Sequence, residues 1–132
     1  MKEKFVLFLL SGFWGLGSFF SFYVAPTLFR VLERQQAGAV VEKIFPVYFG
    51  IGIFILLVSL AVGYSFGKLF TALALANLFL LFLEEFYIIP TMHSLKQTDY
   101  NLFMKYHGVS MAVNLLILLL TFVKIVILIF KR

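Results

Sequence analysis

The stretch "GVSMAVNLLILLLTFVKIVILIF" at residues 108–130 decides the fold class. Lys124 is its only charged residue. A helix needs about 20 consecutive, mostly apolar residues to cross the hydrocarbon core of a bilayer. The stretch is long enough to do so, and it ends at the basic residues Lys131 and Arg132. It therefore predicts a membrane-spanning helix.

Three earlier apolar runs have a similar length, at residues 5–24, 44–66 and 69–89. Of the 132 residues, 63% are hydrophobic, and the mean hydropathy is +1.06. Soluble domains contain roughly 45–50% apolar residues, so this chain carries more apolar surface than one aqueous core can bury. The sequence predicts a single all-α domain over residues 1–132, a polytopic bundle of four transmembrane helices in a lipid bilayer.

A short phrase occurs twice, as "FYVAPT" at residues 22–27 and as "FYIIPT" at residues 86–91. Farther along, "IFPVYFG" at 44–50 resembles "LFMKYHG" at 102–108. We interpret the chain as two helical hairpins of one design, residues 1–67 and 68–132. Each hairpin crosses the membrane an even number of times, so the two are expected to be parallel repeats of the same orientation.

The polar connections between the runs carry local signals. Pro26 and Pro90 predict a kink or a stop, because proline lacks the N–H that continues a helix. The stretch "TLFRVLERQQ" at residues 27–36 predicts a short interfacial helix. Asp99 is a suitable N-cap for a helix that leads into the last span.

Small residues recur at helical spacing in three of the runs. Membrane helices approach closely at such rows, because lipid provides no hydrophobic drive for helix association. We expect the rows to face the bundle interior, or one of them to form a homodimer face. They comprise Ser59, Gly63 and Gly67, then Ser11, Gly15 and Ser18, and finally Ala72 and Ala76.

Charge and composition exclude several classes of function. The net charge is +5, but the basic residues flank apolar runs, so they indicate a membrane protein and no nucleic acid partner. The chain has no cysteine, which excludes disulfides and thiol chemistry. No phosphate loop, nucleophile elbow or zinc-protease motif is present, which favours a non-enzymatic role without deciding it.

The basic flanks also bear on orientation. Each side of the predicted bundle carries five basic residues, and Lys124 tips the count toward cytoplasmic termini in the cell (inner) membrane. One side has Lys2, Lys4, Lys68, Lys131 and Arg132, and the other has Arg30, Arg34, Lys43, Lys96 and Lys105.

Polar residues inside apolar helices are the best functional candidates, because they are costly in hydrocarbon. The candidate metal ligands are Glu84, Glu85, His93 and His107, with Asn77, Ser110 and Asn114 lining the same polar site. Two histidines and a carboxylate can bind a divalent metal, two histidines can ligate a haem, and Glu with His can relay protons. The opposite interpretation is structural, with the carboxylates reaching the headgroups and Asn114 hydrogen bonding between helices.

A family resemblance rests on "APTLFRVLERQQAG" followed by "IFPVYF", and on "HGVSMAVN" at the start of the last run. These motifs resemble the transmembrane-protein-205-like family, a four-helix membrane domain of unknown function. The resemblance covers nearly the whole chain and implies a multipass protein. More distantly, the architecture is similar to that of copper-resistance-D-like and haem-pathway membrane proteins, a likeness that transfers no site residue.

The leading expectation is a membrane protein that binds or transports a metal ion or small solute. The alternatives are an accessory or structural subunit of a larger membrane complex and a haem-binding membrane protein. Besides the lipid bilayer, the expected partner is either a further copy of this chain in a homo-oligomer or a larger membrane complex. The sequence does not identify a cofactor: a divalent metal, a haem or no cofactor at all is compatible with it.

Overall fold

The computed structural model describes residues 1–63 and 65–130, and Lys131 and Arg132 lie outside the described residues. Four long helices account for nearly all of that part of the chain. Each has 28 or 30 residues, which gives a length of about 42–45 Å at 1.5 Å per residue and matches a bilayer with its headgroups. The all-helical, four-span prediction is confirmed. The helices are α1 Lys2–Val31, α2 Arg34–Gly63, α3 Lys68–Leu95 and α4 Tyr100–Ile129.

The four helices form a bundle in which α1 and α3 each pack against α2 and α4. The core between them is rich in large apolar side chains, including Leu10, Phe13, Phe49, Leu56 and Leu81. Many other large apolar side chains, such as Phe54, Phe79 and Phe122, point outward. An outward apolar surface of this extent suits contact with lipid, which is the expected partner of the bundle.

Helices α1 and α3 each contain one π-helical turn, at Phe20–Val24 and Glu84–Ile88. At the end of each turn a backbone N–H bonds five residues back, from Ala25 to Phe20 and from Ile89 to Glu84. The proline follows immediately in both helices. Because the hydrogen-bond register already changes there, the missing proline N–H does not end the helix, and the prediction of a stop is wrong.

The connections are shorter than the sequence suggested. The stretch 27–36 is not one interfacial helix: α1 continues to Val31, the chain turns through an extended Leu32, and α2 begins at Arg34. Asp99 caps α4 as predicted, with its Oδ1 accepting from the Leu102 N–H at 3.1 Å. Gly67 links α2 to α3 with a φ of +110°, a conformation that favours glycine.

The expectation that the small-residue rows face the bundle interior is right only for part of them, and the alternative of a homodimer face stays a prediction. Ser59 and Gly63 are buried and Ser18 is half-buried, whereas the other members are exposed, namely Gly67, Ser11, Gly15, Ala72 and Ala76. Helix α1 instead turns a different face inward, which consists of the larger residues Val6, Leu10 and Phe13 and of Gly17. Space for this face comes from glycine on the neighbouring helix, since a Cβ at Gly52 would lie 2.7 Å from the Phe13 ring.

Candidate functional site

A carboxyl group lies in the middle of the bundle. Glu84 opens the π-helical turn of α3, eleven residues before the helix ends, and is completely buried. Its Oε2 accepts a hydrogen bond from Ser110 Oγ of α4 at 2.8 Å. Its Oε1 is also buried and has no hydrogen-bond partner in the part of the chain that the structure describes. Glu84 therefore faces the interior of the bundle, and α3 continues beyond the predicted end of its span.

Asn114 lies one helical turn from Ser110 and joins three helices. The Tyr48 hydroxyl of α2 donates to Asn114 Oδ1 at 3.0 Å, and Asn114 Nδ2 donates to Ser21 Oγ of α1 at 2.7 Å. The Tyr48 ring stacks on Phe13 with its centroid 5.2 Å away. Both polar ends of Asn114 are therefore satisfied inside the bundle. We call Glu84, Ser110, Asn114, Tyr48 and Ser21 the carboxyl layer.

A layer without polar side chains follows along the bundle. Phe13, Leu81 and Ile117 are all at most 1% exposed. Phe13 and Leu81 meet at Gly52, where an added Cβ would lie 2.7 Å from Phe13 and 3.0 Å from Leu81, and Ile117 belongs to the same core cluster. We call these four residues the apolar layer. Among the described residues, it separates the hydrogen bonds around Glu84 from those nearer the Gly67 end.

Polar side chains return beyond the apolar layer. Asn77 Nδ2 of α3 donates to Thr121 Oγ1 at 2.9 Å, and Thr121 Oγ1 donates to the Ile117 carbonyl at 2.8 Å. Lys124, one turn farther along α4, is completely buried, with its Nζ 6.0 Å from the centre of the Phe70 ring. Ser59 of α2 is buried as well. We call Asn77, Thr121, Lys124 and Ser59 the lysine layer.

The predicted ligands therefore separate into different surroundings. Glu85 is half-buried and faces the α2 backbone, where a Cβ at Gly50 would lie 3.1 Å from its Oε2. His107 is half-buried and stacks on Phe103. His93 has a side chain that is 74% exposed, near the end of α3, and its Nδ1 is paired with the Glu42 carboxylate.

Among the described residues, no group of three or more His, Asp or Glu side chains could hold a metal ion. The structure brings Glu84 together with Ser110, and places Asn114 one turn away, but Asn77 lies beyond the apolar layer. Helix geometry explains part of this, since adjacent residues such as Glu84 and Glu85 point about 100° apart. Metal and haem binding by these side chains stay predictions.

Several residues of the site were missed or given other roles in the sequence. Glu42, which also accepts from Lys96 Nζ at 2.8 Å, had no pattern that linked it to His93. Tyr48 belongs to the quoted motif "IFPVYFG", but nothing there predicted its contact with Asn114. Lys124 is a charge in an apolar run, and the sequence predicts it to be a basic flank of the last span. Because it is buried, it cannot serve as an orientation marker, and cytoplasmic termini stay a prediction.

Comparisons with known proteins place this chain in a sequence family. The family described as Domain of unknown function (DUF4149) matches residues 8–101. An uncharacterized protein of Aquifex aeolicus (strain VF5) is 68% identical over 132 residues, which is the whole length of both chains. No solved structure matches this chain. The expectation of a family of unknown function is borne out, while the finer resemblance to transmembrane-protein-205-like and copper-resistance-D-like proteins stays a prediction.

Proposed function

This chain belongs to the DUF4149 family, whose function is unknown, and we propose that it moves protons across the bilayer with Glu84 as the proton-binding group. The observation that carries this proposal is the completely buried Glu84 carboxyl with one oxygen unpartnered among the described residues. An unpaired carboxylate is too costly to keep ionised in an apolar interior, so it takes up a proton or a cation.

The donors around Glu84 favour a proton over a metal ion. A metal needs several converging oxygen or nitrogen ligands, whereas a proton needs only one free carboxylate oxygen. Ser110 already donates to Oε2, and Asn114 Oδ1 already accepts from Tyr48. The Ser110 bond holds Glu84 Oε2 in place, the Tyr48 bond already occupies the Asn114 oxygen, and Oε1 is left as the atom that can gain and lose the proton.

Lys124 supplies a second proton-binding group on the other side of the apolar layer. It lies fourteen residues after Ser110 on α4, which corresponds to about 21 Å along the helix. No other acidic or basic side chain is completely buried in the described part of the bundle. Protons would pass between the two groups when the apolar layer opens, so the described conformation corresponds to a closed state.

The proposed repeat supports a division of roles between the two hairpins. The two π-helical turns are 64 residues apart, at Phe20–Val24 and Glu84–Ile88, as are the two "FY..PT" phrases. At that offset Phe20 corresponds to Glu84, and Phe13 corresponds to Asn77. The first hairpin would thus supply aromatic packing at positions where the second hairpin carries polar chemistry.

Glu84→Gln is expected to abolish proton uptake, because the amide keeps the shape of the carboxyl but cannot release a proton. We would reconstitute the protein into liposomes with a trapped pH dye and drive protons inward with a potassium diffusion potential. Wild type and the control Glu85→Gln should acidify the lumen at least tenfold faster than protein-free liposomes. Uptake by Glu84→Gln at the wild-type rate would remove Glu84 from the path, and no uptake by wild type would refute the function.

A second candidate function, a subunit of a homodimer or larger membrane complex, is favoured by the exposed small residues. Ser11 and Gly15 on α1, and Ala72 and Ala76 on α3, face away from the bundle core. A Cβ at Gly15 would meet no atom within 4 Å, so another helix backbone has room to approach there. Small-residue rows of this kind commonly mark helix interfaces in membranes.

Gly15→Cys tests this candidate, because the natural chain has no cysteine. If the α1 row is a homodimer face, mild oxidation in native membranes should link most Gly15→Cys chains into disulfide dimers. Phe54→Cys is the control, since Phe54 is 68% exposed on α2 and lies outside both small-residue rows. Equal cross-linking of the two variants would argue against an α1 dimer face.

A further inference from the structure

Three buried polar atoms of the lysine layer have no hydrogen-bond partner among the described residues. They are Lys124 Nζ, Asn77 Oδ1 and Ser59 Oγ. A buried polar group without a hydrogen-bond partner destabilises a protein, because it has lost its bonds to water. Three such atoms from three different helices in one layer therefore call for a common partner.

The packing places these atoms at neighbouring levels of the bundle. Leu81 of α3 lies at the same level as Gly52 of α2. Seven residues closer to the Gly67 end, α3 has Ala74 and α2 has Ser59. Asn77 of α3 is hydrogen-bonded to Thr121 of α4. Three residues closer to the Gly67 end, α3 has Ala74 and α4 has Lys124. Ser59, Ala74 and Lys124 thus share one level, and Asn77 lies about one turn away.

The chemistry of the three atoms selects the ligand. A charged Lys124 only donates hydrogen bonds, Asn77 Oδ1 only accepts them, and a Ser59 hydroxyl does both. A metal cation would be repelled by a lysine ammonium, and an anion would be repelled by the amide oxygen. Water can accept from Lys124 and donate to Asn77, and buried waters typically make about three hydrogen bonds.

We propose that the lysine layer is a water-binding site, bounded on one side by the apolar layer and reached by water from the Gly67 end. Ala74 is completely buried at this level, and only a methyl group represents α3 beside Ser59 and Lys124. The layer lies only six residues from the start of α3 at Lys68, or about 9 Å. Water in this site exchanges protons between Lys124 and the adjoining solution.

Single-cysteine labelling tests the site in the full-length protein, since no native cysteine competes. The probe is a small, membrane-impermeant anionic methanethiosulfonate, applied separately to each side of oriented vesicles. Ser59→Cys should react at least tenfold faster from the Gly67 side than Leu56→Cys, a buried control on α2 within the same bundle. Equal rates for the two variants would refute the water-binding site. Faster reaction of Ser59→Cys from the opposite side would refute the proposal that water enters from the Gly67 end.

The unmodified protein provides a second readout in case the cysteine disturbs the fold. Water-edited solid-state NMR in bilayers measures magnetisation transfer from water to labelled side chains. Transfer to Lys124 and Ser59 should build up severalfold faster than transfer to Ile117 of the apolar layer. Equal build-up at all three residues would refute the water site. Neither measurement involves proton transport, so this inference can fail while the proposed function stands, and the reverse also holds.

Discussion

Lys124→Met is expected to raise the stability of the protein and to lower its proton uptake. A lysine at the centre of a membrane helix costs about 2.5–3.5 kcal/mol on insertion scales, and the cost falls toward the helix ends. Lys124 lies five residues before the end of α4 but is completely buried, while methionine has a similar shape and no charge. Water in the lysine layer offsets part of that cost. We therefore expect a gain of about 1–3 kcal/mol in the free energy of unfolding, measured by denaturant titration in detergent micelles.

The same substitution removes the only proton-binding side chain of the lysine layer, so uptake in liposomes should fall about tenfold. Lys68→Met is the matched control, because Lys68 is exposed at the start of α3 and should change neither quantity. A stability gain with unchanged uptake would mean that Lys124 lies outside the proton path. A loss of stability would mean that the buried ammonium has a structural partner.

Asn114→Leu is expected to destabilise the bundle by about 1–3 kcal/mol. The leucine cannot accept from Tyr48 or donate to Ser21, so two interhelical hydrogen bonds are lost and two polar groups stay buried. Hydrogen bonds between membrane helices average about 0.6 kcal/mol and reach about 1.7 kcal/mol, which gives this range for the pair. The measurement is again denaturant titration in micelles.

Asn101→Leu provides the control for this prediction, since Asn101 is exposed in the first turn of α4. Its free energy of unfolding should stay within about 0.5 kcal/mol of the wild-type value. If Asn114→Leu were as stable as Asn101→Leu, the bonds of Asn114 to α1 and α2 would not contribute to the stability of the bundle.

Hydrophobicity and length sufficed to predict the four spans, because a bilayer imposes about 20 apolar residues on every crossing helix. The N-cap at Asp99 was equally local and could be predicted from one residue. The helix ends at Val31 and Leu95 could not be predicted, because the π-helical turns before Pro26 and Pro90 depend on the register of the backbone hydrogen bonds. No residue pattern used in the sequence analysis predicts that register.

The polar site was predictable in its residue types but not in its pairings. Glu84, Ser110 and Asn114 were identified because polar groups in apolar helices are rare and costly. Their hydrogen-bond partners depend on how each helix is rotated about its axis. The sequence does not determine that rotation, because several faces of each helix are similarly apolar. Gly15 and Gly17 illustrate this, since both are glycines on the same helix, but Gly15 is exposed and Gly17 packs against Tyr48 and Leu118.

Infrared difference spectroscopy of the protein in bilayers, recorded between acidic and alkaline buffer, tests most directly whether Glu84 carries an exchangeable proton. We predict a carbonyl band of a protonated carboxyl group that appears on acidification, persists in Glu85→Gln and is missing in Glu84→Gln. A spectrum of Glu84→Gln identical to that of the wild type would contradict the assignment of Glu84 as the proton-binding group.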